Sequence, residues 1–316
     1  MNLYFGNGIK DTKSVEQIGK TIQIGMQNYF LRDYLNYIKN KMANKRDGLG
    51  DRMKENYENR AKTYLLRRTP VIIRLDGCHF HTFTRGFVKP FDKRLIEAMQ
   101  ETTLKLCQNI QGCVLGYTQS DEITLVLTDY QTLDTDAWFD YSVEKMCSVA
   151  SSMCTLYFNR IFHNKIREFV NEHAHVVNDT ETYGEELSNS VNKVIKAYKN
   201  SIERGALFDA RVFNVPKEEV TNAVLWRQNN ATRNSISSLA QAYFSHKELH
   251  GKNSSQMQDM LMEKHAINWN DLDIPKKRGT AIVKDDNGKW IIDEEMPILR
   301  GDGREYVESR INYDDN

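Results

Sequence analysis

The feature that most constrains the fold is a β-branched run that follows a proline, VIIRLDG at residues 71–77. β-branched residues favour strands and Asp-Gly favours a turn, so the run predicts a buried strand that ends at Asp76. A later segment, GCVLGYTQSDEITLVLTD, has two β-rich runs around a polar centre. It predicts a hairpin with strands at residues 114–118 and 123–128, joined by a turn at residues 120–122.

Helical patterns alternate with these strands. Apolar residues recur at helical spacing in three segments, at residues 91–110, 141–174 and 218–244. FDARVF predicts a further strand at residues 210–214, and AIV and WII around DDNG predict a C-terminal hairpin. This order of elements indicates an α/β or α+β chain with a mixed sheet.

The N-terminal part differs from the rest of the chain. Phe30, Tyr34 and Ile38 recur every four positions, which predicts one amphipathic helix. NKRDGLGD then interrupts the pattern and indicates a domain boundary. We therefore interpret residues 1–47 as an accessory extension and residues 48–316 as the main domain.

Two more segments carry structural expectations. Residues 51–68 are rich in helix formers, and we expect Met53, Tyr57 and Leu65 to face a core. Residues 178–205 have a polar beginning, and we interpret them as a flexible insertion.

Composition limits the class of protein. Lys plus Arg and Asp plus Glu both total 43, so a zero net charge excludes a uniformly basic nucleic-acid coat but permits a local basic groove. No run of about 18 apolar residues occurs, which predicts no membrane span. The N-terminus lacks the pattern of a secretory signal, and the five cysteines form no CxxC pair. We expect a cytoplasmic protein with reduced thiols.

Acidic residues lie at two points where the predicted backbone brings them together. Asp76 leaves the first strand, and Asp121 and Glu122 lie at the tip of the hairpin. Each alone is consistent with an ordinary turn. Carboxylates at a strand end and at a neighbouring hairpin turn are, however, how palm-type nucleotidyltransferases hold two Mg²⁺ ions. The combination predicts a two-metal site for phosphoryl transfer.

The segment after Asp76, DGCHFHTFTRGFVKPFD, adds a turn suited to phosphates. We expect Phe80 and Phe83 to belong to the core rather than to stack on a base. Cys78, His79 and His81 have the ligand types for zinc, but none of them has a partner at CxxC or HxxxH spacing, which makes zinc the weaker interpretation.

The chain resembles the tRNA-histidine guanylyltransferase family through motifs in the same order and spacing: RLDGCHFHTFTRGFVKPFD, GYTQSDEITLVL, FDARVF and WRQNNATRNSI. The resemblance implies an α+β, polymerase/cyclase-like palm with a mixed, mainly antiparallel sheet flanked by helices. It also implies 3′→5′ addition of nucleotides to the 5′ end of tRNA, with ATP, GTP or other nucleoside triphosphates as substrates. A homo-oligomer, tetrameric in relatives, is expected on the same ground.

The resemblance carries site roles onto this sequence. Asp76 and Asp121 match the carboxylates that bridge two Mg²⁺ ions, and Gly77 matches a carbonyl ligand. With Glu122, which matches the second acid of the pair, Asp76 and Asp121 are the catalytic candidates. The positions implied to bind nucleotide are Asp76, Gly77, Cys78, His79, Phe80, His81, Lys89, Asp92, Ser120 and Asp121.

One motif departs from the family pattern. Members that act on histidine tRNA carry His-Ile-Asn-Asn where this chain has residues 232–235, TRNS. The variant resembles the guanylyltransferase-like proteins of bacteria, archaea and phages, which implies template-dependent repair of 5′-truncated tRNA. Addition of the extra 5′ guanosine to histidine tRNA is the alternative. Candidate RNA contacts are Arg227, Arg233 and Asn234, with further candidates in the Lys276-Lys277-Arg278 cluster.

The sequence is also compatible with two other functions. A nucleotide cyclase shares the palm and the paired acids, and it would form product from a nucleoside triphosphate alone. A non-catalytic RNA-binding protein could use an inactivated palm. The joint presence of Asp76, Asp121 and Glu122 argues against inactivation, because an inactive protein would lose nothing by replacing them.

Overall fold

The computed structural model describes residues 48–313, so the helix predicted around residues 30–38 lies outside the described range. The chain divides into two compact units, one that ends at Lys62 and one that begins at Thr63. The division at residue 47 that we expect from the sequence stays a prediction.

The described part of the first unit is short and polar. Helix α1 (Gly48–Asn56) begins inside the predicted break and is followed by a 3₁₀ turn, Glu58–Ala61. Met53 is 48% exposed and Tyr57 65% exposed, so the expectation that these two side chains face a core is wrong.

The second unit is built on one six-stranded sheet with the order β4-β1-β3-β2-β5-β6. Its strands are β1 (Val71–Gly77), β2 (Cys113–Gln119), β3 (Glu122–Leu127), β4 (Phe208–Asn214), β5 (Thr280–Lys284) and β6 (Trp290–Asp293). Every neighbouring pair is antiparallel. The predicted first strand and both predicted hairpins are confirmed, and the class is α+β.

Helices connect and cover these strands. The helices that follow β1 are α2 (Phe80–Phe83), α3 (Lys93–Asn109), α4 (Val143–Asn178), α5 (Thr180–Tyr183) and α6 (Glu185–Arg204). Those that follow β4 are α7 (Lys217–Tyr243), α8 (His246–Leu249), α9 (Ser254–His265), α10 (Ile274–Arg278) and α11 (Glu305–Ile311). Short 3₁₀ turns occur at Trp138–Tyr141, Trp269–Asp271 and Gly301–Arg304.

Alternation along β1 gives the sheet two buried faces. Ile73 and Leu75 pack with α3, α4 and α6, whereas Ile72 packs with Val220 and Val224 of α7. Successive strand residues point to opposite faces, so Arg74 and Asp76 share the α7 face with Ile72. The sheet is therefore a middle layer between two groups of helices.

Residues 178–205 are not a flexible insertion. Helix α6 packs on α4, and its Ile195 and Tyr198 are buried. The polar start of the segment concealed an apolar stripe, which the spacing of Ile195, Tyr198 and Ile202 by three and four positions reveals.

Membrane insertion finds no support in the described residues, since none of their helices combines the length and the apolar character that a span requires.

An aromatic cluster joins the helices on one face of the sheet (α3, α4 and α6) to the loop after β1. Phe158 of α4 is fully buried, and its ring centroid lies 5.7 Å from that of Phe80 and 5.3 Å from that of Phe208. Phe83, which is 3% exposed, packs on the same ring, so the prediction that Phe80 and Phe83 are core residues is confirmed.

We expect Phe158→Ala to lower the free energy of unfolding by about 3–5 kcal/mol, because it removes a buried ring and leaves a cavity. Urea denaturation monitored by circular dichroism measures the loss. Leu133→Ala is the matched control, since Leu133 is 88% exposed. A loss in the Phe158 variant no larger than in this control would contradict the packing argument.

Candidate active site

Strand pairing brings Asp76 and Asp121 together. Asp76 is the cross-strand partner of Glu122 in the β1–β3 ladder, so the hairpin turn lies beside the end of β1. The Gly77 amide donates to the Asp121 carbonyl oxygen at 3.1 Å. Both acids line one cavity, and the convergence predicted from the sequence is what the structure shows.

The cavity has a volume of about 680 Å³ and lies between the β1 end, the hairpin turn and the loop that leads to α3. Residues that line it are Asp76, Gly77, His79, Phe80, His81, Thr84, Phe87, Val88, Lys89, Pro90, Asp92, Leu95, Ser120 and Asp121. Nine of the ten positions assigned to nucleotide binding by resemblance are among them; Cys78 is not. Sequence reasoning did not assign the other five to the site, Thr84, Phe87, Val88, Pro90 and Leu95, which are mostly apolar and carry no signature of phosphate or metal binding.

The loop after β1 depends on close contact with the strand end. A Cβ atom on Gly77 would lie 2.2 Å from a ring carbon of Phe80, so only glycine fits there. His79 adopts a left-handed conformation (φ 53°) and starts the short helix α2. The exposed imidazoles of His79 and His81 line the cavity, whereas the ring of Phe80 lies in the aromatic cluster.

Cys78 has a structural position beside β4. Its amide donates to the Leu207 carbonyl oxygen at 2.8 Å, and its thiol lies 3.7 Å from Asp209. Burial and the Asp209 carboxylate raise the pKa of the thiol, which keeps it protonated. Within residues 48–313, no group of three or more His, Cys, Asp and Glu side chains is arranged to hold a metal ion, so zinc at Cys78, His79 and His81 has no support.

Asp92 acts as an anchor for the loop. Its carboxylate is 5% exposed and accepts hydrogen bonds from the amides of Val88 and Leu95, each at 3.1 Å, and from the Tyr198 hydroxyl at 2.7 Å. These three bonds occupy most of its about four acceptor positions, and the one from Leu95 caps the start of helix α3. The geometry favours a positioning role for Asp92, while neighbouring Lys89 is exposed on the cavity wall.

Asp121 is the acid whose charge is least compensated. Burial raises the pKa of its carboxyl group, and the charge of Asp76 acts in the same direction. The Ser120 hydroxyl donates to Asp121 Oδ1 at 2.9 Å and partly opposes this effect. On Asp76, the nearest cation is Arg211, with Nη1 3.9 Å from Oδ2. A divalent cation would relieve the mutual repulsion of the two carboxylates.

The donor set at this point consists of oxygen atoms. The Asp76 and Asp121 carboxylates, with the Gly77 carbonyl, leave most of a coordination shell to water and phosphate oxygens. That is the shell Mg²⁺ prefers in sites that also bind nucleotide. The residues present therefore fit a magnesium site.

Glu122 is placed differently from its neighbour. It forms a two-pronged ion pair with Arg227 of α7, and the two side chains are only 15% and 17% exposed. Burial raises the pKa of Glu122, and the bonds from Arg227 oppose that rise. Glu122 does not line the cavity, so the structure favours a positioning role over direct catalysis.

Of the three predicted RNA contacts, Arg227 differs in its surroundings from Arg233 and Asn234. Arg227 is bound to Glu122 and stacks on Trp226, with its guanidinium carbon 4.6 Å from the ring centroid, so it is not a free phosphate contact. Arg233 and Asn234 are exposed on α7 outside the cavity, and the Arg233 guanidinium donates to Asn230. Their contact with RNA stays a prediction.

Removing Arg227 tests the ion pair. The raised pKa means that Glu122 holds its proton more tightly in the folded protein than in the unfolded chain. Its effect on stability is therefore most favourable at low pH and is lost as pH rises through the folded-state pKa. Above that pKa, Glu122 opposes folding most. In Arg227→Met the pKa of Glu122 rises further, so we expect a destabilisation of up to about 3 kcal/mol at high pH. The loss should be smaller near about pH 5 than near about pH 8, measured by urea denaturation.

The double variant Arg227→Met/Glu122→Gln is the matched control, because it removes the unpaired charge as well. We expect it to recover part of the stability and to lose the extra pH dependence. Equal destabilisation at both pH values, without recovery in the double variant, would refute the role assigned to the pair.

Proteins of known structure or sequence resemble this chain. A bacterial tRNA(His) guanylyltransferase-like protein solved in complex with ATP is 42% identical, with a TM-score of 0.68, and the match covers 84% of this chain and 99% of that one. A bacterial tRNA(His) guanylyltransferase-like protein solved in complex with GTP is 39% identical, with a TM-score of 0.64 and the same coverage. An uncharacterized protein of Acanthamoeba polyphaga mimivirus is 30% identical over 255 residues, 76% of this chain and 80% of its own.

These likenesses confirm the palm-like fold expected from the motifs. The family model described as tRNAHis guanylyltransferase matches residues 50–216, which include β1 through β4 and both cavity acids. This chain belongs to the tRNAHis guanylyltransferase family and is a nucleotidyltransferase.

Proposed function

We propose that the protein repairs 5′-truncated tRNA by template-dependent 3′→5′ addition of nucleotides. The observation that carries the proposal is the convergence of Asp76 and Asp121 on a cavity whose opposite wall is the loop after β1. The bacterial guanylyltransferase-like relatives, solved with ATP and with GTP, support nucleotide binding at the same fold. Residues 232–235 read TRNS rather than His-Ile-Asn-Asn, which favours repair over guanosine addition to histidine tRNA.

The chemistry requires two displacements at phosphorus. A 5′-monophosphate has no good leaving group, so one of its oxygens first attacks the α-phosphate of ATP, which releases pyrophosphate and leaves a 5′-5′ adenylylated RNA. The 3′-hydroxyl of the incoming nucleoside triphosphate then attacks the RNA 5′ phosphate and expels AMP. An RNA that already carries a 5′-triphosphate would release pyrophosphate directly.

The cavity residues supply binding and orientation for these steps. Asp76 and Asp121 would hold two Mg²⁺ ions, which neutralise phosphate charge and stabilise the attacking and leaving oxygens. Lys89, His79 and His81 are placed to donate to phosphate oxygens. Ser120 orients the Asp121 carboxylate through its hydrogen bond. Catalysis would thus come from positioning and electrostatics, without a protein nucleophile.

The two carboxylates give a direct test. We expect Asp76→Asn and Asp121→Asn each to abolish nucleotide addition to 5′-truncated tRNA, because each removes a metal-binding charge, while the far-ultraviolet circular dichroism stays unchanged. Excess EDTA should stop the wild-type reaction, and added Mg²⁺ should restore it. The matched control is Asp286→Asn, which removes an exposed aspartate from the turn of the other hairpin. Full activity in either cavity variant would exclude the two-metal assignment.

The nature of the reaction is tested by substrate choice. We expect a tRNA that lacks its first 5′ nucleotide to be extended, with ATP, GTP and Mg²⁺, by the nucleotide that pairs with the opposite strand. Changing that opposite nucleotide should change the nucleotide added, as read by sequencing of the product. Untemplated guanosine addition to intact histidine tRNA would instead establish the alternative. Product from nucleoside triphosphate without RNA would indicate a cyclase.

The homo-oligomeric state and the cytoplasmic location expected from the sequence also stay predictions. Sedimentation analysis of the full chain tests the first of these.

A further inference from the structure

Another cavity lies on the α7 side of the sheet, outside the candidate active site, and basic side chains form part of its wall. Its volume is about 380 Å³. Helix α7, the 3₁₀ turn Trp269–Asp271, helix α10 and the segment around residue 300 supply its lining, which consists of Gln228, Asn229, Thr232, Trp269, Asn270, Lys277, Arg278, Ile298 and Arg300. Within the described range, three cations and no acid contribute to this wall.

The three cations are not neutralised by neighbouring carboxylates. Among the described residues, Lys277, Arg278 and Arg300 have no ion-pair partner within 4 Å, whereas adjacent Lys276 is paired with Asp273 at 2.6 Å. Lys277 Nζ donates to the Asn270 carbonyl oxygen at 2.6 Å, and Arg278 Nε donates to the Met296 carbonyl oxygen at 3.2 Å.

Each of these groups keeps donors for a ligand. Arg300 Nη2 donates to Asn229 Oδ1 at 3.2 Å, and the other guanidinium nitrogens of Arg300 have no acceptor within residues 48–313. The same holds, within that range, for both Nη atoms of Arg278. Cationic N–H groups that converge on one space bind oxyanions through charge-assisted hydrogen bonds.

The walls of the cavity are fixed by buried hydrogen bonds. Gln228 is 2% exposed; its amide nitrogen donates to the Pro297 carbonyl oxygen at 2.9 Å, and its amide oxygen accepts from the Leu299 amide at 3.0 Å. The Tyr117 hydroxyl donates to the Arg278 carbonyl oxygen at 2.7 Å. Because these anchors hold both sides, an anion would meet donors that are already in place.

The position of the cavity connects it with the active site. Thr280, the first residue of β5, pairs with Thr118 of β2, two residues before Ser120. Arg278 lies two residues before Thr280, so it lies at the same end of the sheet as the turn that carries Asp121. On α7, Gln228 follows Arg227, the residue that binds Glu122.

From this geometry we infer that the cavity binds a backbone phosphate of the RNA substrate whose 5′ end occupies the active site. The inference rests on the proposed function for the identity of the RNA. With a net charge of zero, the chain must supply phosphate contacts from local clusters, and such contacts fix the register of a bound nucleic acid. Lys277, Arg278 and Arg300 form the cluster suited to that role.

Salt-dependent RNA binding tests the inference. Fluorescence anisotropy of a labelled 5′-truncated tRNA, titrated with the full chain over a series of KCl concentrations, gives log K against log salt. We expect Lys277→Ala and Arg300→Ala each to weaken binding and to lower the slope by about 0.7–1, the loss of one phosphate contact. Lys289→Ala is the matched control and should leave the slope unchanged, because Lys289 is an exposed lysine in the turn at the far end of β5, away from the cavity.

GTP binding to the same variants separates the two sources of phosphate. Unchanged GTP affinity together with a lower RNA slope supports a backbone-phosphate site. Weaker GTP binding with an unchanged RNA slope would overturn it, as would slopes equal to that of the Lys289 variant. Lys277→Glu serves as a second variant, expected to weaken RNA binding further, with thermal melting to verify its fold.

The binding assay contains no ATP or GTP and does not depend on catalysis. If the variants show the expected salt slopes but the wild-type protein adds no nucleotide to the RNA, only the proposed function is contradicted. A protein that extends the RNA while its slopes ignore Lys277 and Arg300 would contradict only this inference.

Discussion

The antiparallel pairing of β1 with β3 is the constraint on which the rest of the molecule depends. Its register sets Asp76 opposite Glu122 and so holds the Ser120–Asp121 turn beside the strand end. A slip by one residue would turn Asp76 to the opposite face and send Ile73 and Leu75 out of their core. The same apolar side chains that stabilise the sheet therefore also fix the positions of Asp76 and Asp121 relative to each other.

Adjacent acids in this turn have different surroundings, and that difference separates their roles. Glu122 faces α7, where Arg227 compensates its charge. Asp121 lines the cavity, and in the part of the chain that the structure describes its one side-chain hydrogen bond comes from the Ser120 hydroxyl, while burial raises the pKa of its carboxyl group. One carboxylate is thus satisfied within the protein, while the other gains most from an external cation. Asp92, with three hydrogen bonds from the protein, resembles Glu122 in this respect.

Local signals account for what the sequence predicted correctly. The strand before Asp76 and the hairpin around Asp121 follow from β-branched runs and turn residues, whereas the metal and nucleotide roles implied by the family motifs stay predictions. Contacts between distant residues left no such signal: Glu122 and Arg227 are 105 positions apart, and Asp92 and Tyr198 are 106 apart. Helix α6 was missed because its polar first turns outweighed the apolar stripe at Ile195 and Tyr198.

The cavity lined by Lys277, Arg278 and Arg300 has a consequence for how the protein meets the other RNA molecules of a cell. A chain with a net charge of zero exerts little long-range attraction on polyanions, so the fields of Lys277, Arg278 and Arg300 act mainly within a Debye length of about 8 Å. Ribosomal and messenger RNA would then be released quickly after chance collisions. Under the proposed function, a transcript would dwell only when its terminus and its neighbouring backbone engage together, and residence time, rather than initial attraction, would select truncated 5′ ends.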